Sequence, residues 1–305
     1  LLQDVFNICW RRSFRRINTS PYYAAPAFTE EIVMLNYLKY LVRMTTDIFS
    51  NFSRIIELAK FEYKLITKGM ALGQIWRLLN PLIQIGMYWL VFGLGIRNGA
   101  PVDGIPYVVW LSCGITAWLM ASKGVGTSAR SIYDKTSMLT RSNIPTCLIP
   151  ISASVANIMD SVWLIVVLLI MFVCNGGIFT WYALGLVYYT LCIFVFNSVF
   201  GLIASVLGVL ARDFLNLIQA VLRMLFFVSP IFWSPGSSSA QVFAVFSLYN
   251  PFAYVINGFR DSLLYNIPFW ERTQELQIFW GMMLVLYLLG ALFQSKLRKN
   301  LLDFV

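Results

Sequence analysis

Histidine is absent from all 305 residues, and only 12% of residues carry charge. Without imidazole the chain has no His-containing zinc site, no Ser-His-Asp chemistry and no imidazole pH switch. The fourteen acids are dispersed, with Asp103, Asp134, Asp213 and Asp261 each standing alone in sequence. No carboxylate cluster that would hold a divalent metal is visible, nor a pair at acid/base spacing. The chain contains no Gly-Lys dipeptide, and the GVG at Gly124 to Gly126 has no GK[ST] behind it, so there is no Walker A phosphate loop. Cys9, Cys113, Cys147, Cys174 and Cys192 are odd in number and scattered, without disulfide or metal spacing. They read as free thiols packed as small hydrophobes. No repeat with a period of about 20 to 50 residues occurs.

What remains is overwhelmingly apolar. Hydrophobic residues make up 59% of the chain and the mean hydropathy is +0.71, too little polar surface to cover a water-soluble globule. The fold class expected is an all-α integral membrane protein. A net charge of +9 would suggest nucleic acid in a soluble protein. In a membrane protein the basic residues have another use, holding loops on the anionic cytoplasmic side, and no nucleic-acid partner is expected.

Apolar runs at 78–96, 105–122, 151–174, 181–209, 214–232 and 278–294 predict six transmembrane helices. An even count puts both termini on one side. Nineteen Lys and Arg then fall on that side against Arg97, Arg260 and Arg272 on the other, with Arg223 inside the fifth span, so both termini are expected in the cytoplasm of a multi-pass cell-membrane protein. Just before the first span, Arg54, Glu57, Lys60, Lys64 and Lys68 recur every three or four residues opposite Ile56, Ala59, Tyr63 and Ile66. This pattern predicts an amphipathic helix lying on the membrane surface.

Four segments follow: a cytoplasmic stretch over 1–52, the interfacial helix over 53–77, the membrane domain over 78–298 and a tail over 299–305. Residues 1–33, with RRSFRR and a proline-bearing polar run, lack the apolar region and cleavage site of a signal peptide. Either they form a cytoplasmic arm or the natural product starts at Met34.

Between 226 and 277, Pro230, Pro235, Gly236, Pro251 and Pro268 cut the apolar sequence into pieces too short to span. Re-entrant helices are expected there before the last span, because an external loop would expose too much apolar surface. The loop SARSIYDKTSMLTRSNIP between spans two and three has room for a short helix ending before Pro145. It reads as a docking element or as a solvated basic loop. Tyr88, Trp89 and Phe92 in the first span, with Phe226 and Phe227 in the fifth, are aromatic at mid-span, suited to lining a path for sugars or to ordinary bundle packing. Gly201/Ser205 and Ala204/Gly208 permit close helix contact within a subunit or across a dimer.

Three blocks carry a family resemblance: KGMALGQIWRLLNPLIQIGMYWLVFGLGI at the first span, PYVVWLSCGITAW with the loop after it, and ARDFLNLIQAVLRMLFFVSPIFW through NPFAYVINGFRDSLL. In this order they resemble the transmembrane subunit of a type 2 ABC exporter of the polysaccharide and teichoic-acid export family. YWLVFGLGIRNG and the PVDGIPY turn are most like wall teichoic-acid permeases. The resemblance implies a half-transporter: two copies of the chain with two copies of an ABC ATPase subunit. ATP and Mg sit on that partner, and the substrate is a lipid-linked glycopolymer on a polyprenyl diphosphate. It also implies that Ser131, Tyr133, Asp134, Lys135, Ser137 and Arg141 couple to the ATPase, and that Pro230, Trp233 and Pro251 belong to an outer gate. The leading expectation is a wall teichoic-acid exporter, with no catalytic residues, metal or cofactor of its own. O-antigen or capsular polysaccharide export is the alternative. A membrane-embedded cell-envelope enzyme is disfavoured by the missing carboxylate cluster, and an ion-coupled transporter by the shortage of ionisable residues in the spans and of inverted repeats.

Two ionisable residues fall inside predicted spans, Asp160 in the third and Arg223 in the fifth. Each lies nine or ten positions from the cytoplasmic end, about 14 Å deep. Equal depth makes a direct ion pair the expectation. The competing role is that Arg223 holds the diphosphate of the lipid carrier.

Overall fold

The computed structural model describes residues 30–66, 75–96, 98–139, 144–234 and 241–300, with side chains placed for all of these except 30–36, 137, 241–244 and 296–300. Among them every regular element is helical. The chain divides into two compact units after Tyr40. The first, from its described start, is helical, and the second contains everything discussed below. In order, the helices are α1 (Glu30–Ser50), α2 (Phe52–Ile66), α3 (Ile75–Ile96), α4 (Tyr107–Asp134), the single turn α5 (Thr136–Leu139), α6 (Leu148–Cys174), α7 (Gly185–Leu210), α8 (Arg212–Val228), α9 (Gln241–Tyr249), α10 (Pro251–Arg260) and α11 (Thr273–Asn300). α3 is α-helical to Tyr88 and π-helical from Trp89 to Ile96.

Five helical stretches, not six, are long and apolar enough to cross a membrane among the described residues: Ile75–Ile96, Tyr107–Asp134, Leu148–Cys174, Trp181–Leu210 and Thr273–Ser295. The run expected at 214–232 forms α8, whose 17 residues extend about 26 Å, short of a hydrocarbon core of about 30 Å. It ends where Ser229 and Pro230 leave the helix. α8 buries only Leu215, Ile218, Leu222 and Phe226, while Leu217, Val221, Met224 and Phe227 face outward.

Small residues let the helices approach. A Cβ on Gly201 would stand 2.7 Å from the Ser128 side chain, and one on Gly208 would stand 3.1 Å from the Ala129 carbonyl. The small-residue stripe of α7 therefore packs on α4 within one subunit. Gly124, from the GVG that resembles no phosphate loop, faces Asn157 and Asn197. That glycine pattern is a packing device. Between α3 and α4 the chain reverses through Asn98–Gly99 and Asp103–Gly104, all four at positive φ, the conformation that two-residue turns of this hand demand. A bridge from Val102 to Ile105 closes the second turn.

The irregular stretch after α8 is held from one side by a single guanidinium. Arg260, 2% exposed at the end of α10, donates to the carbonyls of Pro230 (2.5 Å) and Ile231 (2.8 Å) and, through Nε, to that of Trp110 (3.3 Å). Its Cζ lies 3.4 Å from the Trp110 ring centre. Burial pushes its pKa down to about 10, so it stays charged near neutrality. Asn250 completes the junction: it caps α10 by accepting from the Phe252 N–H (3.0 Å) and donates to the Ser229 hydroxyl (3.0 Å). Pro251 then opens α10 where its missing N–H costs nothing. α9 and α10, of 9 and 10 residues, are about 14 to 15 Å long and cannot span.

Arg260→Met should leave the Pro230 and Ile231 carbonyls without donors and lower stability by about 3 kcal/mol or more. Gly114→Ala, whose Cβ would stand 2.5 Å from Arg260 Nη2, should act in the same direction. Thermal unfolding of the detergent-purified protein checks both, and Arg260→Lys should recover only part of the loss because an ammonium donates from one nitrogen, whereas Arg260 reaches the carbonyls from three.

Candidate functional site

α4 is longer than its apolar sequence. Its 28 residues extend about 42 Å, and the run expected as a loop after residue 122 continues the helix to Asp134. The reason is amphipathicity: Lys123, Thr127, Arg130 and Asp134 form one polar face, while Val125, Ser128, Ala129 and Ile132 are buried behind it. Ser131, Tyr133 and Asp134 therefore belong to the last turns of a long helix, and only Thr136–Leu139 forms the separate short helix. Ser131 is buried and donates to the Ser128 carbonyl (2.7 Å). Tyr133 lies under the Arg212 guanidinium at 5.3 Å, and Asp134 pairs with Arg130 at 3.8 Å on the surface. Lys135 caps the helix and pairs with Glu62 of α2. The backbone of Ser137 lies in α5, and Arg141 lies outside the described residues.

The polar face of α4 forms one wall of a cavity of about 1060 Å³. α3 contributes Trp76, Arg77, Asn80, Gln84 and Tyr88, and α8 contributes Gln219, Arg223, Phe226 and Phe227. Glu62 and Asp160 close it from α2 and α6. The cavity is graded. Toward Lys135 its lining is ionic, and toward Phe226 it is aromatic, with Trp118 and Phe226 at 5.5 Å and Tyr88 and Phe226 at 5.3 Å between ring centres. Of the five aromatics expected on a path, Tyr88, Phe226 and Phe227 line the cavity. Trp89 and Phe92 do not: Phe92 stacks on Phe232 at 4.1 Å, and the Trp89 ring lies over Gly93 of its own helix. The shift to π-helical turns from Trp89 onward rotates these side chains out of the register that Tyr88 keeps.

The expected ion pair between Asp160 and Arg223 is not formed. Asp160 instead contacts Arg77 of α3 at 3.1 Å and pairs with Lys123 of α4. Arg223 lines the same cavity but makes no ion pair or hydrogen bond among the described residues. α6 starts at Leu148, twelve residues before Asp160, whereas α3 starts at Ile75, two before Arg77, so equal counts from the apolar boundaries do not give equal depths. Arg77 stands in the first turn of α3, so its partner Asp160 is level with the start of the first span rather than well within it.

α2 is fastened here from both sides. Glu62 accepts from Lys135 and from the Ser152 hydroxyl (3.0 Å). The Tyr63 hydroxyl accepts from Trp163 Nε1 (3.3 Å), its carbonyl accepts from Arg77 (3.1 Å), and its ring carries the Arg77 guanidinium at 4.0 Å. The buried face of α2 is Ile55 and Ala59 continued by these two residues, one position round from the expected Ile56 face. Phe52, Phe61 and Leu65 remain exposed. Pro230, buried, and Pro251 flank the junction that Arg260 and Asn250 hold, with Trp233 half-buried beyond it. Among the described residues no group of acids and cysteines has the arrangement of a metal site, and the four described cysteines are free.

Removing the shared carboxylate should matter more than removing either cation. Asp160→Asn leaves Arg77, whose side chain is 6% exposed, without a counter-charge, a change worth about 3 kcal/mol or more. Lys123, 45% exposed, should cost less than about 1 kcal/mol when changed to Gln. Monodisperse yield and unfolding temperature should fall for Asp160→Asn, stay near the parent for Lys123→Gln, and partly recover in the Asp160→Asn/Arg77→Gln double variant.

Comparison with known proteins places this architecture. The chain is 25% identical over 193 residues to the O-antigen export system permease protein RfbA of Myxococcus xanthus, covering 63% of this chain and 73% of the relative. Two proteins of the same name from Klebsiella pneumoniae are 22% and 20% identical over 226 and 230 residues, covering 73% and 74% of this chain and 85% and 86% of the relatives. The family model described as ABC-2 type transporter matches residues 53–264, which takes in α2, the graded cavity and the segment pinned by Arg260. The chain therefore belongs to the ABC-2 type transporter family, as a multi-pass membrane subunit of a transporter.

Proposed function

We propose that the chain is the membrane-spanning half of an ATP-driven exporter of a lipid-linked polysaccharide, with O-antigen-type polymers as the leading substrate. The observation that carries this reading is the cavity between α3, α4 and α8, aromatic at one end and ionic at the other. Aromatic faces pack against the C–H surfaces of sugar rings, and fixed charges suit a phosphate-bearing carrier. The relatives named for O-antigen export favour that polymer over teichoic acid, and teichoic acid becomes the second reading. The likeness of YWLVFGLGIRNG and PVDGIPY to teichoic-acid permeases is its support.

In this reading two copies of the chain work with two copies of an ABC ATPase that binds ATP and Mg. The protein sits in the cytoplasmic membrane with both termini inside. α8, continued by the segment after Ser229, makes the sixth pass, and α9 and α10 form the re-entrant pair, with Pro230, Trp233 and Pro251 at the outer gate. α2 lies at the inner membrane face with Phe52, Phe61 and Leu65 toward lipid. ATP-driven closure of the partner pushes on α5 and the Lys135 end of α4. The Lys135–Glu62 pair and the Tyr63–Arg77 stack carry that push to the first span.

The test is reconstitution with an ABC ATPase in proteoliposomes, comparing lipid-linked O-antigen-type glycan with lipid-linked teichoic acid. ATP-dependent movement of the former supports the reading, movement of the latter alone selects teichoic acid, and movement of neither rejects export. The chain by itself should show no nucleotide affinity, since it lacks a phosphate-cradling loop. Leu139→Pro removes the N–H that bonds the Lys135 carbonyl, and should break α5 and strongly reduce transport while insertion and ATP hydrolysis by the complex persist. Full transport by that variant would remove α5 from the coupling path.

A further inference from the structure

The cavity carries more positive than negative charge, and the surplus is concentrated at one level. α4 and α8 touch at two places. A Cβ on Gly126 would stand 3.0 Å from Gln219 Nε2, and the Trp118 and Phe226 rings lie 5.5 Å apart. Going from the first contact to the second, the chain runs backward along α4, from 126 to 118, and forward along α8, from 219 to 226. The helices are therefore antiparallel. Lys123 and Arg223, one turn from the Gly126–Gln219 contact on their respective helices, stand level with each other, and both line the cavity. Asp160 ties Arg77 to that level through its contact with Lys123.

Three cations thus stand beside one carboxylate, which pairs with two of them. The remaining acids of the cavity do not relieve them, because Asp134 pairs with Arg130 and Glu62 with Lys135 at the other end of α4's polar face. Arg223 has no counter-charge among the described residues. Arg77 Nη1 is buried and donates to nothing, although Arg77 is among the cavity-lining residues. A donor buried without an acceptor is costly, and a guanidinium offers paired N–H groups matched to phosphate oxygens.

We infer that Arg77, Lys123 and Arg223 form a binding site for a phosphate-bearing anion, with Asp160 holding Arg77 and Lys123 in place until that group arrives. The ligand's oxygens take the free Nη1 of Arg77 and the Arg223 guanidinium, and Lys123 turns from Asp160 to the ligand. Its ammonium is on the more accessible side of that pair, so this exchange leaves the Arg77–Asp160 contact in place. The rings of Trp118, Tyr88 and Phe226 adjoin the site on one side, where the group attached to the phosphate would rest. A diphosphate on a lipid carrier and the headgroup of an anionic phospholipid share the required chemistry. The inference rests on the export reading only for the choice between them.

The experiment uses the full chain in phosphatidylcholine nanodiscs, with inorganic diphosphate titrated against the tryptophan fluorescence to which Trp76 and Trp118 contribute. Saturable quenching is expected, with affinity reduced about tenfold by Arg223→Gln and by Lys123→Gln, largely restored by Arg223→Lys, and unchanged by Lys60→Gln on the outer face of α2. Repeating the titration in discs containing phosphatidylglycerol separates the sources. Loss of the diphosphate response there, recovered when phosphatidylglycerol is withdrawn, assigns the site to a lipid headgroup. An undiminished response assigns it to a carrier diphosphate. No saturable response in the parent protein, or an affinity indifferent to Arg223→Gln, overturns the site. The titration needs neither ATPase nor transport, so a failed transport assay beside an intact diphosphate response would reject the export reading and leave the site standing.

Discussion

A chain that leaves a helix inside a membrane protein must find donors for the carbonyls it releases, and in this fold one side chain supplies them. Lipid offers no hydrogen bonds, so each orphaned carbonyl costs several kcal/mol unless protein satisfies it. Arg260 reaches Pro230, Ile231 and Trp110 together, joining the end of α8, the end of α10 and the first turn of α4 through one planar group. Its neighbour Asp261 is not its counter-ion: that carboxylate belongs to Arg272, and burial pushes it upward against the pull of Arg272. The positive charge is thus dispersed over carbonyl dipoles and the Trp110 ring, an arrangement available to arginine and not to lysine.

The opposite end of the helices is organised by ion pairs instead. Glu62, Asp160 and Asp134 each meet a cation of the cavity, and the shared Asp160 binds α3, α4 and α6 at one point. Broken backbone is fixed by donors that cannot rearrange without unfolding the junction. Of these charged side chains, Lys123, Arg130 and Asp134 are exposed and can exchange partners at little cost. The fold therefore places its rigid element beside the irregular segment and its adjustable element beside the cavity.

Much of this was legible in the sequence for definite reasons. Long apolar runs found four spans and the last helix, because length and hydropathy are local properties. The proline positions marked where α8 ends and where α10 begins. α4 was cut short because Lys123 looked like the end of a span, whereas spacing of 123, 127, 130 and 134 on one helical face was the available sign that the helix goes on. The partner of Asp160 was misjudged because depth was counted from apolar boundaries, and helices that start at different levels do not share a zero. In sequence Arg77 is one more basic residue before the first span, and nothing local marks it as buried against Tyr63. Trp89 and Phe92 were misplaced because a π-helical stretch changes the angular spacing on which face assignment depends.

The length of α4 has a mechanical consequence. It runs without a break from Trp110, whose carbonyl and ring hold Arg260, to the Lys135 cap, whose ammonium holds Glu62. No joint lies between these ends to absorb strain, and its flanks are wedged against α7 through Gly201 and Gly208. A rod clamped in this way converts a sideways load at one tip into torque about its wedged stretch near Ser128 and Ala129, and the reaction appears at the other tip with the opposite sense. Residues separated by most of the thickness of a bilayer are thereby placed on the two arms of a single lever.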